Sequence, residues 1–314
     1  RVLFRSERGA VVGGAGTVLE FVYHSLCDAG EGVLVPTPSY SGFWTDLETR
    51  DELRVVPVHL EAEGGFELTT EALDAALDTA EVPVKSLLFT NPNNPLARVY
   101  PREKVLEVVA WARAKGLHLV VDEIYALSVF AGAPFESVAS QLESLGDDVH
   151  IVWAFSKDFG ASGLRCGVLV SENEGLIQSV NALGYWGAVS GHTQSLLRQF
   201  ISDSAVVDDY VTGMRASLAE AHTRVEAGLD ALGLTCQPAR AAFFTLCDFR
   251  CKLDAPTWEA EHALWRRILD EANVNITPGS ACRIKEPGFF RLCYAAEPPA
   301  ALDEAFRRLQ RVLG

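Results

Sequence analysis

The segment His150-Ile-Val-Trp-Ala-Phe-Ser-Lys-Asp-Phe-Gly-Ala-Ser-Gly-Leu-Arg-Cys-Gly-Val-Leu-Val170 holds a single lysine, Lys157, between two apolar runs of strand-like length. A lysine at the end of a buried strand raises the free energy of the fold unless it is paired, solvated or used covalently. Partial burial would lower the pKa of its amine, as a lysine that attacks carbonyl carbons requires. The alternative is a surface lysine whose stem packs beside a loop, which is the commoner case for any one lysine.

Apolar strands alternate with helices in the part of the chain that precedes this segment. The sequence predicts helices over 18–27, 46–50, 69–80 and 101–115, and strands over 32–35, 54–59, 84–90 and 117–121. Short apolar strands separated by helices predict an α/β fold with a mostly parallel sheet covered by helices on both faces. Ligands of such sheets bind beyond the carboxyl ends of the strands.

The pattern changes near residue 195. Beyond it, the sequence predicts a long charged helix over 204–232, strands over 242–247 and 289–294, and helices over 257–272 and 299–313. Helices with few strands predict a smaller α+β domain. We therefore expect a large domain over residues 1–195 and a small C-terminal domain over residues 196–314.

The composition restricts the classes of partner. Of the 314 residues, 48% are hydrophobic and 22% are charged, as in ordinary globular proteins. The net charge of −15 disfavours nucleic acids and anionic membranes, and no apolar run has the length of a membrane-spanning helix. Seven scattered cysteines are typical of reduced thiols in a cytoplasmic protein. The closest pair, Cys247 and Cys251, lacks the further ligands of a metal site, so no metal is expected.

Several polar and glycine motifs are each weak when taken singly. The loop Gly13-Gly-Ala-Gly-Thr17 opens a predicted helix, where free backbone N–H groups and the helix dipole favour an anion such as phosphate. Asp122, at a strand end, has the alternative role of a helix cap. Tyr40 and Tyr125 would by default be packing aromatics, and Asn94 a turn residue.

Taken together and in order, these motifs resemble those of the fold-type I pyridoxal-phosphate enzymes, the class I/II aminotransferases, over essentially the whole chain. Three stretches resemble the 1-aminocyclopropane-1-carboxylate (ACC) synthase-like branch in particular: Val35-Pro-Thr-Pro-Ser-Tyr-Ser-Gly-Phe43, Asn91-Pro-Asn-Asn-Pro-Leu96 and Ser156-Lys-Asp-Phe-Gly-Ala-Ser-Gly-Leu-Arg165. The resemblance implies a large domain with a seven-stranded, mostly parallel sheet and pyridoxal 5′-phosphate as cofactor. It also implies a small-molecule amino acid or 2-oxo acid as substrate, and a homodimer with the active site at the subunit interface.

The resemblance assigns a chemical role to each motif. Lys157 would hold the cofactor covalently and then move the Cα proton of the substrate. Asp122 would pair with the ring nitrogen and keep it protonated. Tyr125 and Asn94 would hydrogen-bond the phenolic oxygen of the ring, and Tyr40 would stack on its face.

The same resemblance implies the groups that bind the anionic parts of cofactor and substrate. Gly16, Thr17 and Arg165 would hold the phosphate, the arginine through charge-assisted hydrogen bonds, and Ser156 would belong to the cofactor site. Arg291, with Asn94 beside it, would bind the α-carboxylate of the substrate in a bidentate manner.

The chain departs from the family pattern in two respects. Ala154 stands where the family usually has a phosphate-binding serine, so one hydroxyl contact is lost. The chain begins at Arg1, so we expect that an N-terminal arm, which in relatives reaches the substrate and the neighbouring subunit, is missing.

These residues predict removal of the Cα proton from an α-amino acid but leave the outcome of the reaction open. An aminotransferase is the leading hypothesis. ACC synthesis from S-adenosylmethionine and β-elimination are alternatives on the same fold. A further alternative is a catalytically impaired homologue that binds the cofactor as a scaffold.

Overall fold

Two β-sheets organise the computed structural model, which describes residues 6–130 and 132–314. The larger sheet has seven strands in the order β1-β7-β6-β5-β4-β2-β3. These strands are β1 (Gly9–Val12), β2 (Gly32–Thr37), β3 (Arg54–His59), β4 (Val84–Thr90), β5 (His118–Asp122), β6 (Val149–Ala154) and β7 (Gly167–Ser171). The predicted seven-stranded α/β sheet is therefore confirmed, and β1 is a strand that the sequence did not predict.

Strands β2 to β6 run parallel to one another, and β7 runs antiparallel to both of its neighbours, β1 and β6. A parallel connection needs a crossover, usually a helix, that returns the chain to the same end of the sheet. Residues 155–166, between β6 and β7, instead form the turn that carries Lys157. The chain returns antiparallel, with Ala154 opposite Gly167.

Helices cover both faces of the large sheet, as predicted. Successive residues of a strand point to opposite faces, so Leu34 packs with Leu73 and Val105 on one face while Val33 packs with Val18 on the other. The helices before the second sheet are α1 (Ala15–Leu26), α2 (Gly42–Glu48), α3 (Thr70–Asp78), α4 (Arg102–Lys115), α5 (Val138–Gln141), α6 (Phe155–Asp158), α7 (Glu174–Leu183), α8 (Gly191–Ser202) and α9 (Ser204–Ala231).

A second, antiparallel sheet of four strands follows α9, in the order β10-β11-β9-β8. Val225 of α9, Phe290 and Leu309 belong to one buried cluster that joins this sheet to its helices. The small α+β unit is thus confirmed, and the exact boundary at residue 195 stays a prediction. Its elements are β8 (Thr235–Cys236), β9 (Phe244–Asp248), α10 (Trp258–Arg267), β10 (Thr277–Pro278), β11 (Phe289–Cys293) and α11 (Pro299–Leu313).

Local signals explain why several predicted boundaries lie close to the observed ones. The Thr69 hydroxyl accepts a hydrogen bond from the Ala72 N–H and caps the N-terminus of α3. Gly116, at φ 68°, adopts the left-handed conformation that ends α4. All seven cysteines are free thiols. Among the described residues, no helix is both long and apolar enough to cross a membrane.

Candidate active site

A cavity of about 400 Å³ lies at the carboxyl ends of β4, β5 and β6. This edge of a parallel sheet is where ligands of such folds bind. Thr90 and Asp122, the last residues of β4 and β5, are paired in register, which brings the two strand ends together. Nine of the residues that the sequence predicted for the site line the cavity: Gly16, Tyr40, Asn94, Asp122, Tyr125, Ser156, Lys157, Arg165 and Arg291.

Lys157 is half-buried and faces this cavity, which disfavours the alternative of a surface lysine. It lies in α6, a single turn that follows β6, and so not on the strand end itself. Its Nζ is 5.7 Å from the centroid of the Phe243 ring. Burial lowers the pKa of Lys157, and the nearby guanidinium of Arg291 lowers it further. The amine is therefore easier to deprotonate than that of an exposed lysine.

Asp122 lines the cavity, and only 5% of the residue is exposed to solvent. Its Oδ1 accepts a hydrogen bond of 3.0 Å from the backbone N–H of Ile124. Burial raises the pKa of Asp122 to about 7, and the negative charge of Asp46 adds to the shift. Within the described residues no cationic side chain forms a salt bridge with Asp122. A cation placed against this carboxylate would return its pKa toward the usual value.

The N-terminus of α1 and the guanidinium of Arg165 form an anion cradle at one end of the cavity. Val18 makes the first backbone hydrogen bond of the helix, to the carbonyl of Gly14, and the N–H groups of residues 15–17 remain available. Those of Gly13 and Gly14 donate to the carbonyls of Gly187 and Val12. Gly14 has φ 101° and ψ 168°, a conformation that favours glycine. A Cβ at this position would also collide with the Arg165 guanidinium, which approaches the backbone closely.

Thr17 and Ala154 contribute less to this cradle than the other residues. The Thr17 hydroxyl donates a hydrogen bond of 3.2 Å to the Gly13 carbonyl and does not line the cavity. A contact of Thr17 with the phosphate therefore stays a prediction. Ala154 is fully buried in the core and offers no hydroxyl.

The two tyrosines of the cavity, Tyr40 and Tyr125, differ in exposure. Tyr40 is 44% exposed and packs edge-on against Phe43, with ring centroids 5.4 Å apart. A Cβ at Gly42 would collide with the Tyr40 ring, so this glycine allows the ring its position. Tyr125 is buried, and its ring makes an edge contact with that of Phe244. Burial raises the pKa of Tyr125, so its hydroxyl remains a hydrogen-bond donor at neutral pH.

Arg291 reaches the cavity from the small sheet. Its Nη1 donates a hydrogen bond of 3.0 Å to the Asn94 Oδ1, and its Nη2 donates one of 3.3 Å to the Thr277 hydroxyl. Its buried Nε has no hydrogen-bond partner in the described part of the chain. The guanidinium carbon lies 5.3 Å from the centroid of the Phe244 ring. Arg291 therefore keeps donor capacity for an incoming carboxylate.

Ten further residues line the cavity that were not predicted as site residues, and four of them are Asp46, Phe243, Phe244 and Cys293. Asp46 lies on α2, and the other three of these four lie in or beside β9 and β11. No motif marks them, because their place in the site depends on how the small sheet and α2 pack against the large sheet.

A second cavity of about 790 Å³ adjoins the first. The two share Ser156, Lys157, Ser162, Phe243 and Cys293 in their linings. The larger one extends along α9 past Met214. The lysine thus stands between a small polar cavity and a larger one, with room beside it for a substrate side chain.

The residues present fit pyridoxal 5′-phosphate. In the described part of the chain the buried Asp122 carboxylate has no salt-bridge partner, and a protonated ring nitrogen would supply one. The anion cradle at Gly14 and Arg165 suits a phosphate at the other end of the molecule. Lys157, whose pKa is lowered, faces the same cavity as both.

Comparisons with known proteins agree with this fit. The family model for aminotransferase class I and II matches residues 2–309. The chain is 38% identical to 1-aminocyclopropane-1-carboxylate synthase 6 of Arabidopsis thaliana, over 99% of this chain and 64% of that protein. It is 37% identical to 1-aminocyclopropane-1-carboxylate synthase 4 of Oryza sativa subsp. japonica, over 100% of this chain and 68% of that protein. The chain thus spans about two thirds of the length of these curated relatives.

Solved structures with the same fold include aminotransferases. An aspartate aminotransferase from Rhizobium meliloti is 25% identical, with a TM-score of 0.85, over 99% of this chain and 77% of that one. An aromatic aminotransferase from Pyrococcus horikoshii is 23% identical, with a TM-score of 0.87, over 98% of this chain and 79% of that one. At these identities the likeness is one of fold.

Proposed function

The chain belongs to the class I and II aminotransferase family, whose cofactor is pyridoxal 5′-phosphate, and from this premise we propose that it removes the Cα proton of an α-amino acid. When bound, the cofactor supplies an aldehyde that captures amines and a ring that draws electrons away from Cα. The observation that carries the proposal is the presence of Lys157 and Asp122 in one cavity. Burial lowers the pKa of Lys157 and raises the pKa of Asp122, so each shift favours the neutral form of the group.

In this proposal Lys157 and Asp122 handle the protons. A lysine with a lowered pKa is neutral in a larger fraction of molecules, so its Nζ would hold the cofactor covalently and, once released, would accept the Cα proton. The Asp122 carboxylate holds a proton at the ring nitrogen, because the two charges together cost less than the buried carboxylate alone. Tyr125 donates a hydrogen bond to the phenolic oxygen of the ring.

The remaining groups hold the two ligands in place. We propose that Arg165 and the first N–H groups of α1, at Gly16 and Thr17, bind the phosphate, with Ser156 beside them. Tyr40 covers the face of the ring. Two further groups support the substrate end: Arg291 binds the α-carboxylate, and Asn94 orients the guanidinium by the 3.0 Å hydrogen bond.

For the outcome of the reaction, we propose elimination with ring closure to ACC, the product in the names of the relatives. All the curated relatives named above, at 37–38% identity, are ACC synthases. The substrate would then be S-adenosylmethionine. The larger cavity beside Lys157 provides space for a bulky side chain.

Transamination is the second candidate, because the groups that remove the Cα proton also suffice to return it to the cofactor. The fold of the two aminotransferase structures agrees with it.

Product analysis separates the candidates. The protein is incubated with S-adenosylmethionine, with pairs of an amino acid and a 2-oxo acid, and with β-substituted amino acids. ACC without consumption of oxo acid supports the first candidate, new amino acid supports the second, and pyruvate from a β-substituted amino acid indicates β-elimination. A cofactor absorption band that no amino acid shifts would indicate a scaffold.

We also propose that the protein is a cytoplasmic homodimer. Tyr185 and Trp186 are 79% and 83% exposed, and large exposed apolar groups mark interaction surfaces. They adjoin Gly187, whose carbonyl accepts a hydrogen bond from the N–H of Gly13 in the glycine loop. Light scattering on the wild type and on Trp186→Ser tests this: a dimeric mass that falls toward the monomer in the variant supports an interface here, and a monomeric wild type contradicts it.

A further inference from the structure

The carboxylate that follows Lys157 in the sequence is 0% exposed and does not line the cofactor cavity. Four donors converge on Asp158. Its Oδ1 accepts hydrogen bonds from the backbone N–H of Ser128 at 3.0 Å and from the Ser128 hydroxyl at 2.7 Å. Its Oδ2 accepts hydrogen bonds from the backbone N–H of Leu127 at 3.0 Å and from the indole Nε1 of Trp153 at 2.8 Å. A carboxylate has lone pairs for all four.

These donors lie on two separate chain segments that leave neighbouring strands. Residues 127–128 follow Asp122 and Tyr125 beyond the end of β5, and Trp153 lies in β6 just before the turn of Lys157. Backbone pairing between the two strands ends where the N–H of Glu123 donates to the Val152 carbonyl at 2.9 Å. Past that point, Asp158 joins the two segments through its side chain.

We infer that Asp158 is a positioning residue, which fixes the turn of Lys157 against the segment that carries Asp122 and Tyr125. The inference rests on the proposed function, because it concerns how the lysine meets the cofactor. Without this clamp the lysine turn and the β5 exit lose the side-chain hydrogen bonds that join them beyond the end of the strand pairing. A displacement of about 1 Å of a reacting group is enough to slow a reaction about a hundredfold.

The charge and shape of the carboxylate are both needed for the clamp. In Asp158→Asn one oxygen becomes an NH₂ group, which then faces two donors instead of accepting from them. Two milder variants each remove one donor and leave the carboxylate intact: Trp153→Phe on the Oδ2 side and Ser128→Ala on the Oδ1 side. Because each keeps three of the four hydrogen bonds, they preserve the fold if Asp158→Asn does not.

Glu261 provides a matched control. It is also a buried carboxylate, 1% exposed, and accepts backbone hydrogen bonds from Ser280 at 3.0 Å and Gly288 at 2.7 Å. It lines neither of the two cavities beside Lys157. Glu261→Gln therefore perturbs a buried carboxylate to a similar degree without touching the lysine turn.

The experiment adds pyridoxal 5′-phosphate to the apoproteins and follows the visible absorption band at several pH values. Borohydride reduction and mass spectrometry then measure covalent attachment at Lys157. Hydrogen exchange of the Leu127 and Ser128 amides gives a readout in the apoprotein. We expect Asp158→Asn to slow attachment at least about tenfold and to shift the pH midpoint of the band, with smaller changes in the same direction for the two donor variants. We also expect faster exchange of both amides in Asp158→Asn, and Glu261→Gln to match the wild type in every readout.

Two failures are distinguishable. If the wild type gives no reducible adduct at Lys157, the proposed function fails. If the wild type gives the adduct and Asp158→Asn attaches the cofactor at the wild-type rate with an unchanged pH midpoint, the positioning role is wrong. If Asp158→Asn does not fold, the same result in both donor variants contradicts the positioning role.

Discussion

Replacement of Asp122 by asparagine tests the electrostatic basis of the site, because it changes the apoprotein and the cofactor complex in opposite directions. Burial moves the pKa of this carboxyl from its usual 3.8 to about 7 in the folded protein. The folded pKa lies above the unfolded pKa, so the protonated carboxyl of Asp122 adds to the free energy of unfolding. This contribution is fully present below about pH 4, decreases as the pH rises, and is lost once the pH has passed through about 7. At about 1.4 kcal/mol per pKa unit, the free energy of unfolding of the apoprotein falls by roughly 2.5 kcal/mol between pH 5 and pH 8 on account of this one group.

Asp122→Asn removes this contribution, because the amide does not ionise. Urea unfolding of the apoproteins should therefore show a flatter pH dependence in the variant by roughly 2.5 kcal/mol between pH 5 and pH 8. The affinity for pyridoxal 5′-phosphate should fall at least about a hundredfold, because the ring nitrogen loses its buried counter-charge. The variant is thus more stable than the wild type without cofactor at pH 8, and weaker in binding it.

Glu123 is the control for this prediction. Burial also raises its pKa to about 7, and it accepts a hydrogen bond from the Val138 N–H, away from the cofactor cavity. Glu123→Gln should flatten the pH dependence of unfolding in the same way and leave the affinity for the cofactor unchanged. An unchanged affinity in Asp122→Asn, or an equal loss in Glu123→Gln, would refute the reasoning.

Two further predictions concern the anion sites. Arg291→Lys keeps the positive charge but loses the planar guanidinium that binds a carboxylate through two hydrogen bonds. The concentration of amino acid that gives half of the shift in the cofactor band should therefore rise at least about tenfold, with an unchanged affinity for the cofactor. A loss of cofactor affinity instead would contradict the assignment of Arg291 to the substrate. Gly14→Ala puts a Cβ against the Arg165 guanidinium and strains a φ of 101°, so denaturant unfolding should show a loss of about 1–3 kcal/mol together with weaker cofactor binding. Gly213→Ala, in α9 where a Cβ meets nothing within 4 Å, should be neutral or stabilising, and equal losses in the two variants would contradict a special role for Gly14.

The strands that carry the site were predictable because they are uniformly apolar and sharply bounded. The runs 54–59 and 84–90 match β3 and β4 residue for residue. β1 was missed because four residues beside a glycine loop give too short a pattern, and it forms only by pairing with β7. Helices α7 and α8 were also not predicted.

The site required information beyond local pattern. The contact of Arg291 with Asn94 joins residues 197 positions apart and depends on how the small sheet packs on the large one. No local signal marks Asp46 or Phe243 as cavity residues, for the same reason. Lys157 was predicted at a strand end, and the structure places it in the turn beyond, where Asp158 holds the segment.

The measurement that tests the central claim most directly is the location of the reduced cofactor. The protein is mixed with pyridoxal 5′-phosphate, treated with borohydride, digested and analysed by mass spectrometry. We predict a single pyridoxyl-phosphate adduct on Lys157, and its loss together with loss of the visible band in Lys157→Ala. An adduct on another lysine, or a reducible band that persists unchanged in Lys157→Ala, would contradict the account.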